Sequence, residues 1–134
     1  MIGGQVLDTT ALADAATGRS IYARALIRTA VEVGIVLAVP AAALMQAYAS
    51  VPAGGRPFLD LLLDLPVAVF EPLGQAALQS AGVLLAEAGA GDTPYGLATA
   101  HTALVARCRG WPVVTANGDL LRRLAPELRI ELLP

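Results

Sequence analysis

The sequence predicts an α/β fold: a mostly parallel central sheet of about five strands, covered by helices on both faces as an α/β/α sandwich. Three observations point there. Short apolar runs alternate with longer Ala- and Leu-rich segments along the whole chain. The runs Ile35–Val39, Val67–Phe70 and Pro112–Thr115 are nearly continuous in apolar residues, as strands buried on both faces are. The breaks between segments carry helix-starting and helix-stopping residues, among them Ser20, Gly18, Gly34 and Gly110.

The elements follow in order. Gln5–Leu7 closes an apolar stretch that ends in Asp8 and reads as a first strand. Thr9 or Thr10 is the expected cap of a helix to about Ala16, which Gly18 stops. Ser20 starts a second helix, Ile21–Glu32, whose Tyr22, Ala25, Leu26 and Thr29 recur at helical spacing. Ile35–Val39 is a buried strand. Pro40 sits at the next helix start, where its missing N–H costs nothing, and Ala41–Ala49 continues that helix. Val51–Pro57 is a loop, Phe58–Leu63 a short helix and Val67–Phe70 a third strand. Beyond Pro72 an Ala-rich helix reaches about Ala88. Asp92 is the expected N-cap of a further helix, with Pro94 in its first turn and Gly110 at its end. Pro112–Thr115 is a strand, Asp119–Leu124 a short helix and Arg129–Leu132 a last strand.

Composition narrows the function classes. The chain has 134 residues, 56% of them hydrophobic and only 15% charged, and a mean hydropathy of +0.63, which excludes a disordered chain. That length suits one domain over residues 1–134. Aromatics make up 4%, so the core must come from Ala, Leu and Val. All nine basic residues are Arg, against 11 acids, for a net charge of −2. A free-standing nucleic-acid binder is usually basic; here only Arg107/Arg109 and Arg122/Arg123 cluster. The single Cys108 excludes an internal disulfide and a Cys-based zinc site. The opening MIGGQVLDTT lacks the basic stretch and apolar core of a secretory leader. The longest uncharged run, Val33–Gly55, is interrupted by Pro40, Gln46, Tyr48, Ser50 and Pro52 and divides into a strand and a helix rather than spanning a membrane. A cytoplasmic chain with no membrane contact is the expectation.

In a parallel α/β sheet the functional crevice lies beyond the carboxyl ends of the strands. That singles out Asp8, Pro40 and its successors, Glu71 and Asn117. Around these positions stand Val6-Leu7-Asp8-Thr9-Thr10-Ala11-Leu12, then Val39-Pro40-Ala41-Ala42-Ala43-Leu44-Met45-Gln46-Ala47, and then Thr99-Ala100-His101-Thr102-Ala103-Leu104-Val105-Ala106-Arg107, running on to Pro112-Val113-Val114-Thr115-Ala116-Asn117. In content and order these segments resemble the PIN domain family, metal-dependent ribonucleases best known as toxins of VapBC-type toxin–antitoxin pairs. The resemblance covers nearly the whole chain and implies a PIN-like three-layer fold with an acidic cluster that holds Mg²⁺ or Mn²⁺, hard cations that prefer carboxylate oxygen and water. Such a metal activates a water and neutralises charge on the phosphate.

The residues at the matching positions depart from that pattern. The first acid is present as Asp8, but the others fall on Gln46, Thr99 and Asn117. One carboxylate in place of four should hold a divalent cation weakly, so the expectation is a degenerate cleft of Asp8, Gln46, Thr99 and Asn117, with no resident metal or other cofactor. Asp92 and Asp119 are the acids nearby that could restore a Mg²⁺ or Mn²⁺ site with Asp8. Asp92 reads more simply as a helix cap, and so does Asp119, ahead of Leu120 and Leu121.

The other notable residues have plain readings beside functional ones. His101, the one histidine, reads as structural, since no nucleophile accompanies it. Asp8 is either a structural acceptor at a helix start or a functional remnant. Glu71 is a turn residue, Cys108 a helix-end thiol flanked by two Arg, and Trp111 a core edge or an interface anchor. Two functions result. One is a degenerate PIN-like interaction or regulatory module, paired with itself as a homodimer or with a small antitoxin-like DNA-binding protein. The alternative is an active Mg²⁺- or Mn²⁺-dependent endoribonuclease toxin using Asp8 with Asp92 or Asp119 and acting on RNA. A third reading, a nucleotide in the cleft, finds no support in Ala88-Gly89-Ala90-Gly91-Asp92, which lacks the Lys and the preceding strand of a phosphate loop.

Overall fold

The chain is described from a computed structural model covering residues 3–134. Met1 and Ile2, the first residues of the stretch read as carrying no leader, lie outside the described residues. Five strands form one sheet: β1 (Gly4–Leu7), β2 (Val36–Pro40), β3 (Ala68–Glu71), β4 (Val113–Thr115) and β5 (Ile130–Leu132). Their spatial order is β3-β2-β1-β4-β5. Every pairing is parallel, with Val6 opposite both Ala38 and Val113, and Ala38 opposite Val69.

Among the described residues, seven α-helices connect the strands: α1 (Thr9–Thr17), α2 (Ile21–Val33), α3 (Ala41–Ser50), α4 (Arg56–Leu62), α5 (Gln75–Glu87), α6 (Gly96–Arg109) and α7 (Asp119–Leu124). Alternation along the strands separates two cores. Leu7, Leu37, Val39 and Val114 face α1 to α4, meeting Leu12, Ile27, Ala43 and Leu59. Val6, Ala38 and Val113 face α5 to α7, meeting Leu85, Ala103 and Leu121. The chain winds from β1 through β2 to β3 in one direction, crosses to the other face, and resumes at β4 on the far side of β1. The strand order therefore reverses between β1 and β4, which is where a crevice opens in such sheets.

Local chemistry sets most boundaries. The Asp8 side chain accepts from the Ala11 N–H and caps α1, the role expected of Thr9 or Thr10. Ser20 caps α2 by accepting from the Ala23 N–H. Gly18, Gly34 and Gly110 end their helices at φ of 72°, 77° and 69°, a left-handed conformation that favours glycine. Pro40 caps α3 without a side-chain bond, and the Ala42 N–H instead donates to His101 Nδ1 at 3.3 Å. Pro57, expected in a loop, sits in the first turn of α4, behind a 3₁₀ turn at Ala53–Gly55.

Two caps differ from expectation. Asp92 lies in the turn before α6, which begins at Gly96 behind Tyr95. Backbone bonds close that turn instead, Thr93 N–H to the Ala90 carbonyl at 3.0 Å and Gly96 N–H to the Thr93 carbonyl at 2.9 Å, and no side-chain cap is made. Asp119 is the first residue of α7 and not its cap, a position Gly118 takes. Asn117 Oδ1 accepts the Asp119 N–H at 3.1 Å, an Asx-type bond two residues along the chain that meets the first N–H of α7.

Trp111 belongs to the core edge. A Cβ at Gly4 would overlap its ring, so β1 needs a glycine there for the indole to lie flat against the strand. The Arg109 guanidinium covers the ring at 5.0 Å from its centroid. Among the described residues, no helix is long and apolar enough to cross a membrane.

Candidate functional site

A cleft of about 310 Å³ opens at the reversal between β1 and β4. Asp8 at the end of β1, Thr99 in the first turn of α6, Asn117 beyond β4 and Asp119 at the start of α7 all line it. Thr10, Tyr95 and Arg123 complete much of the wall. Gln46 and Asp92 are not among its lining residues. Gln46 lies on α3, where its amide donates to Ser50 Oγ at 3.1 Å. A second cleft of about 590 Å³ adjoins the first and shares Thr9, Thr10 and Tyr95 with it. Tyr95, between the two, has φ of 59°, the one positive value among described non-glycine residues; side chains seldom tolerate it.

Asp8 is 7% exposed. Its Oδ1 accepts from Thr10 Oγ1 at 2.7 Å and from the Ala11 N–H at 2.9 Å. Burial pushes its carboxyl above the ordinary range, and the hydrogen bonds from Thr115, Ala11 and Thr10 only partly oppose this. Thr10 Oγ1 lies 3.2 Å from Thr115 Oγ1 and accepts the Ala116 N–H at 2.8 Å. Thr115 Oγ1 in turn accepts the Asn117 N–H at 3.1 Å. The sequence presents Thr10 only as a candidate helix cap and Thr115 only as the end of an apolar strand; that their hydroxyls lie together across 105 positions carries no local signal.

The remaining groups are also engaged. Thr99 Oγ1 donates to the Tyr95 carbonyl at 3.1 Å, and Asn117 Oδ1 is held by the Asp119 N–H. The Asp119 carboxylate faces Arg122 at 3.4 Å. Among the described residues no three His, Cys, Asp or Glu side chains group so as to hold a metal ion. The donor set thus consists of one buried carboxylate, one exposed carboxylate beside an Arg, and neutral oxygens already bonded. It fits a hard divalent cation poorly, since Mg²⁺ gives up water reluctantly and needs anionic oxygen in exchange.

His101, 1% exposed, lies behind the cleft. Burial lowers its pKa from 6.5, against the pull of the Pro72 carbonyl and the Glu71 carboxylate. Nδ1 accepts a backbone N–H and so carries no proton. The imidazole ties α6 to the start of α3. Glu71 pairs with Arg109, and Arg107 with Glu127 at 2.6 Å, so each Arg of that cluster faces an acid. Arg123 donates to the Ala88 carbonyl at 3.1 Å.

Solved structures share this architecture. A chain in the crystal structure of VapBC2 from Rickettsia felis bound to a DNA fragment from their promoter superposes with a TM-score of 0.69 at 15% identity, covering 98% of this chain and 99% of that one. The fold is PIN-like. A chain in the crystal structure of DNA-bound VapBC from Salmonella typhimurium gives a TM-score of 0.65 at 21% identity, covering 98% of both. No protein-family model matches the sequence, and no curated protein does. At such identities the likeness shows the fold, with five parallel strands and helices on both faces.

Proposed function

We propose that this PIN-like chain has lost metal-dependent RNA cleavage and acts by binding a protein, a small antitoxin-like DNA-binding partner. The observation that carries this reading is the state of the cleft: of the positions where the resemblance expects acids, only Asp8 bears one, and the neutral replacements are bonded within the protein. A metal-activated water needs the charge those acids would supply. Support for the partner comes from the two neighbours, both found in DNA-bound VapBC complexes, and from a groove of about 460 Å³ between α2 and α4. Ile27, Val31, Phe58, Leu61 and Leu65 wall that groove, with Arg24 and Arg28 beside them. It suits an apolar segment of a partner. A second copy of the chain is the other partner proposed, across the exposed Leu78 and Val83 of α5.

The test is incubation of the purified chain with single-stranded RNA in Mn²⁺, beside Asp8→Asn. The expected outcome is no cleavage by either protein. Cleavage by the wild-type chain that disappears in Asp8→Asn would establish the second reading, an endoribonuclease toxin. That reading draws on Asp8 and Asp119 lining one cleft.

A further inference from the structure

We propose that a further cavity, at the opposite end of the sheet from the cleft, is a binding site for a small organic carboxylate. The cavity measures about 440 Å³, a size that small-molecule sites share. It gathers residues that precede four strands: Gly3 before β1, Ile35 before β2, Pro112 before β4 and Arg129 before β5. Because every pairing is parallel, these starts share one end of the sheet and Asp8, after β1, stands at the other. Trp111, Ile35 and Pro112 give the cavity an apolar wall. The indole is seated on Gly4, where a Cβ would overlap it. Arg109 and Arg129 line the same cavity, against one acid, Glu131. Arg109 is fixed twice, by its ion pair with Glu71 and by its seat 5.0 Å from the centre of the Trp111 ring. A guanidinium held in that way loses little freedom when a ligand arrives. Arg129 is engaged only weakly, donating from Nη2 to the Gly110 carbonyl at 3.4 Å, and among the described residues it pairs with no acid. Glu131 is occupied by the Gln5 amide, which donates to it at 2.6 Å. The wall thus carries one positive charge in excess, which suits a monoanion, and the guanidinium fork matches a planar carboxylate. Carbon behind that carboxylate would cover Trp111 and Ile35 and remove apolar surface from water.

Trp111 is the chain's one tryptophan, so its fluorescence reports on this cavity directly. The purified full chain is titrated at constant ionic strength with hexanoate, with acetate and with hexanamide. Hexanoate should change the emission saturably. Acetate, which lacks the apolar body, should bind more weakly, and hexanamide, which lacks the charge, should have no effect. A purely structural Arg129, bracing the end of α6 through Gly110, would leave these titrations unchanged when it is replaced. The carboxylate site instead requires Arg129→Gln to weaken hexanoate binding by about tenfold, the loss of a charge-assisted hydrogen bond. Gly3→Glu is a second variant, at a position with open space for a side chain; its own carboxylate should block hexanoate. The absence of a saturable response to hexanoate overturns the proposal, and so does equal binding of hexanamide or of acetate. Unchanged hexanoate binding in Arg129→Gln overturns it too, as does unchanged binding in Gly3→Glu if Arg129→Gln does not fold. None of these outcomes touches the proposed function, which rests on the cleft at the other end of the sheet.

Discussion

At Asp8 two demands act on one carboxylate. It caps α1 through the Ala11 N–H, and it sits 7% exposed where burial raises its pKa. The cap needs only an oxygen, and an amide supplies one as well as a carboxylate does. The buried charge is the costly part. Because the folded pKa exceeds the ordinary 3.8, the native state holds its proton more tightly than the unfolded chain. Stability therefore falls as pH rises from 3.8 through the folded value, and the full cost persists above it. Asp8→Asn is expected to keep the cap and lose this cost. Its denaturation midpoint should match or exceed wild type at pH 7, and the advantage should fade toward pH 3.5. A variant less stable than wild type at pH 7 would show that the charge itself holds the site together. The part of the site legible in the sequence was of this kind: Asp8, Thr99 and Asn117 stand just beyond strands or at a helix start, and those positions converge. That Gln46 does not line the cleft was not legible, because the sequence does not say how α3 sits against the ends of the strands.

Helix termini explain which elements could be read in advance. Gly18, Ser20, Gly34 and Gly110 bound their helices where the sequence predicts, since each acts through its own backbone or side chain within a few residues. Asp92 and Asp119 were misread as caps because the groups that satisfy those turns are backbone carbonyls and the Asn117 amide, which leave no compositional signal. The start of α3 is another such case, capped from α6 by His101 Nδ1. This cap requires an unprotonated imidazole. Since the folded pKa lies below 6.5, the unfolded chain takes up the proton first as pH drops. The stability contributed is present above pH 6.5 and is lost as pH falls through the folded value. His101→Gln, whose amide oxygen is an acceptor that does not titrate, should flatten the Tm profile between pH 7 and pH 5 at a cost of about 1 kcal/mol at pH 7. An unchanged profile in that variant would place the acid sensitivity elsewhere.

For the whole molecule, the sheet order β3-β2-β1-β4-β5 decides where the cleft opens. It leaves one end of the sheet for the cleft and presents α2 and α4 on a face away from it. Ala-rich helices close tightly on both faces, with Ala15, Ala30, Ala43 and Ala106 at 0% exposure, which is why so few aromatics suffice. Arg107, Arg109 and Arg122 each face an acid, in a chain whose net charge is −2. If the α2–α4 groove receives the partner's apolar segment, Leu61→Glu should abolish the complex recovered by tagging this chain in its native host, while the isolated variant keeps its fold. The side chain is 66% exposed, so a surface charge there should shift stability by no more than about 0.5 kcal/mol. Recovery of the same complex with Leu61→Glu would move the interface elsewhere.

The central claim is that this PIN-like cleft works without metal, and calorimetric titration of the purified chain with Mn²⁺, repeated on Asp8→Asn, addresses it most directly. The account predicts no binding heat from either protein beyond dilution. Saturable Mn²⁺ binding by the wild-type chain that is lost in Asp8→Asn would contradict it and return Asp8 to the centre of a catalytic site.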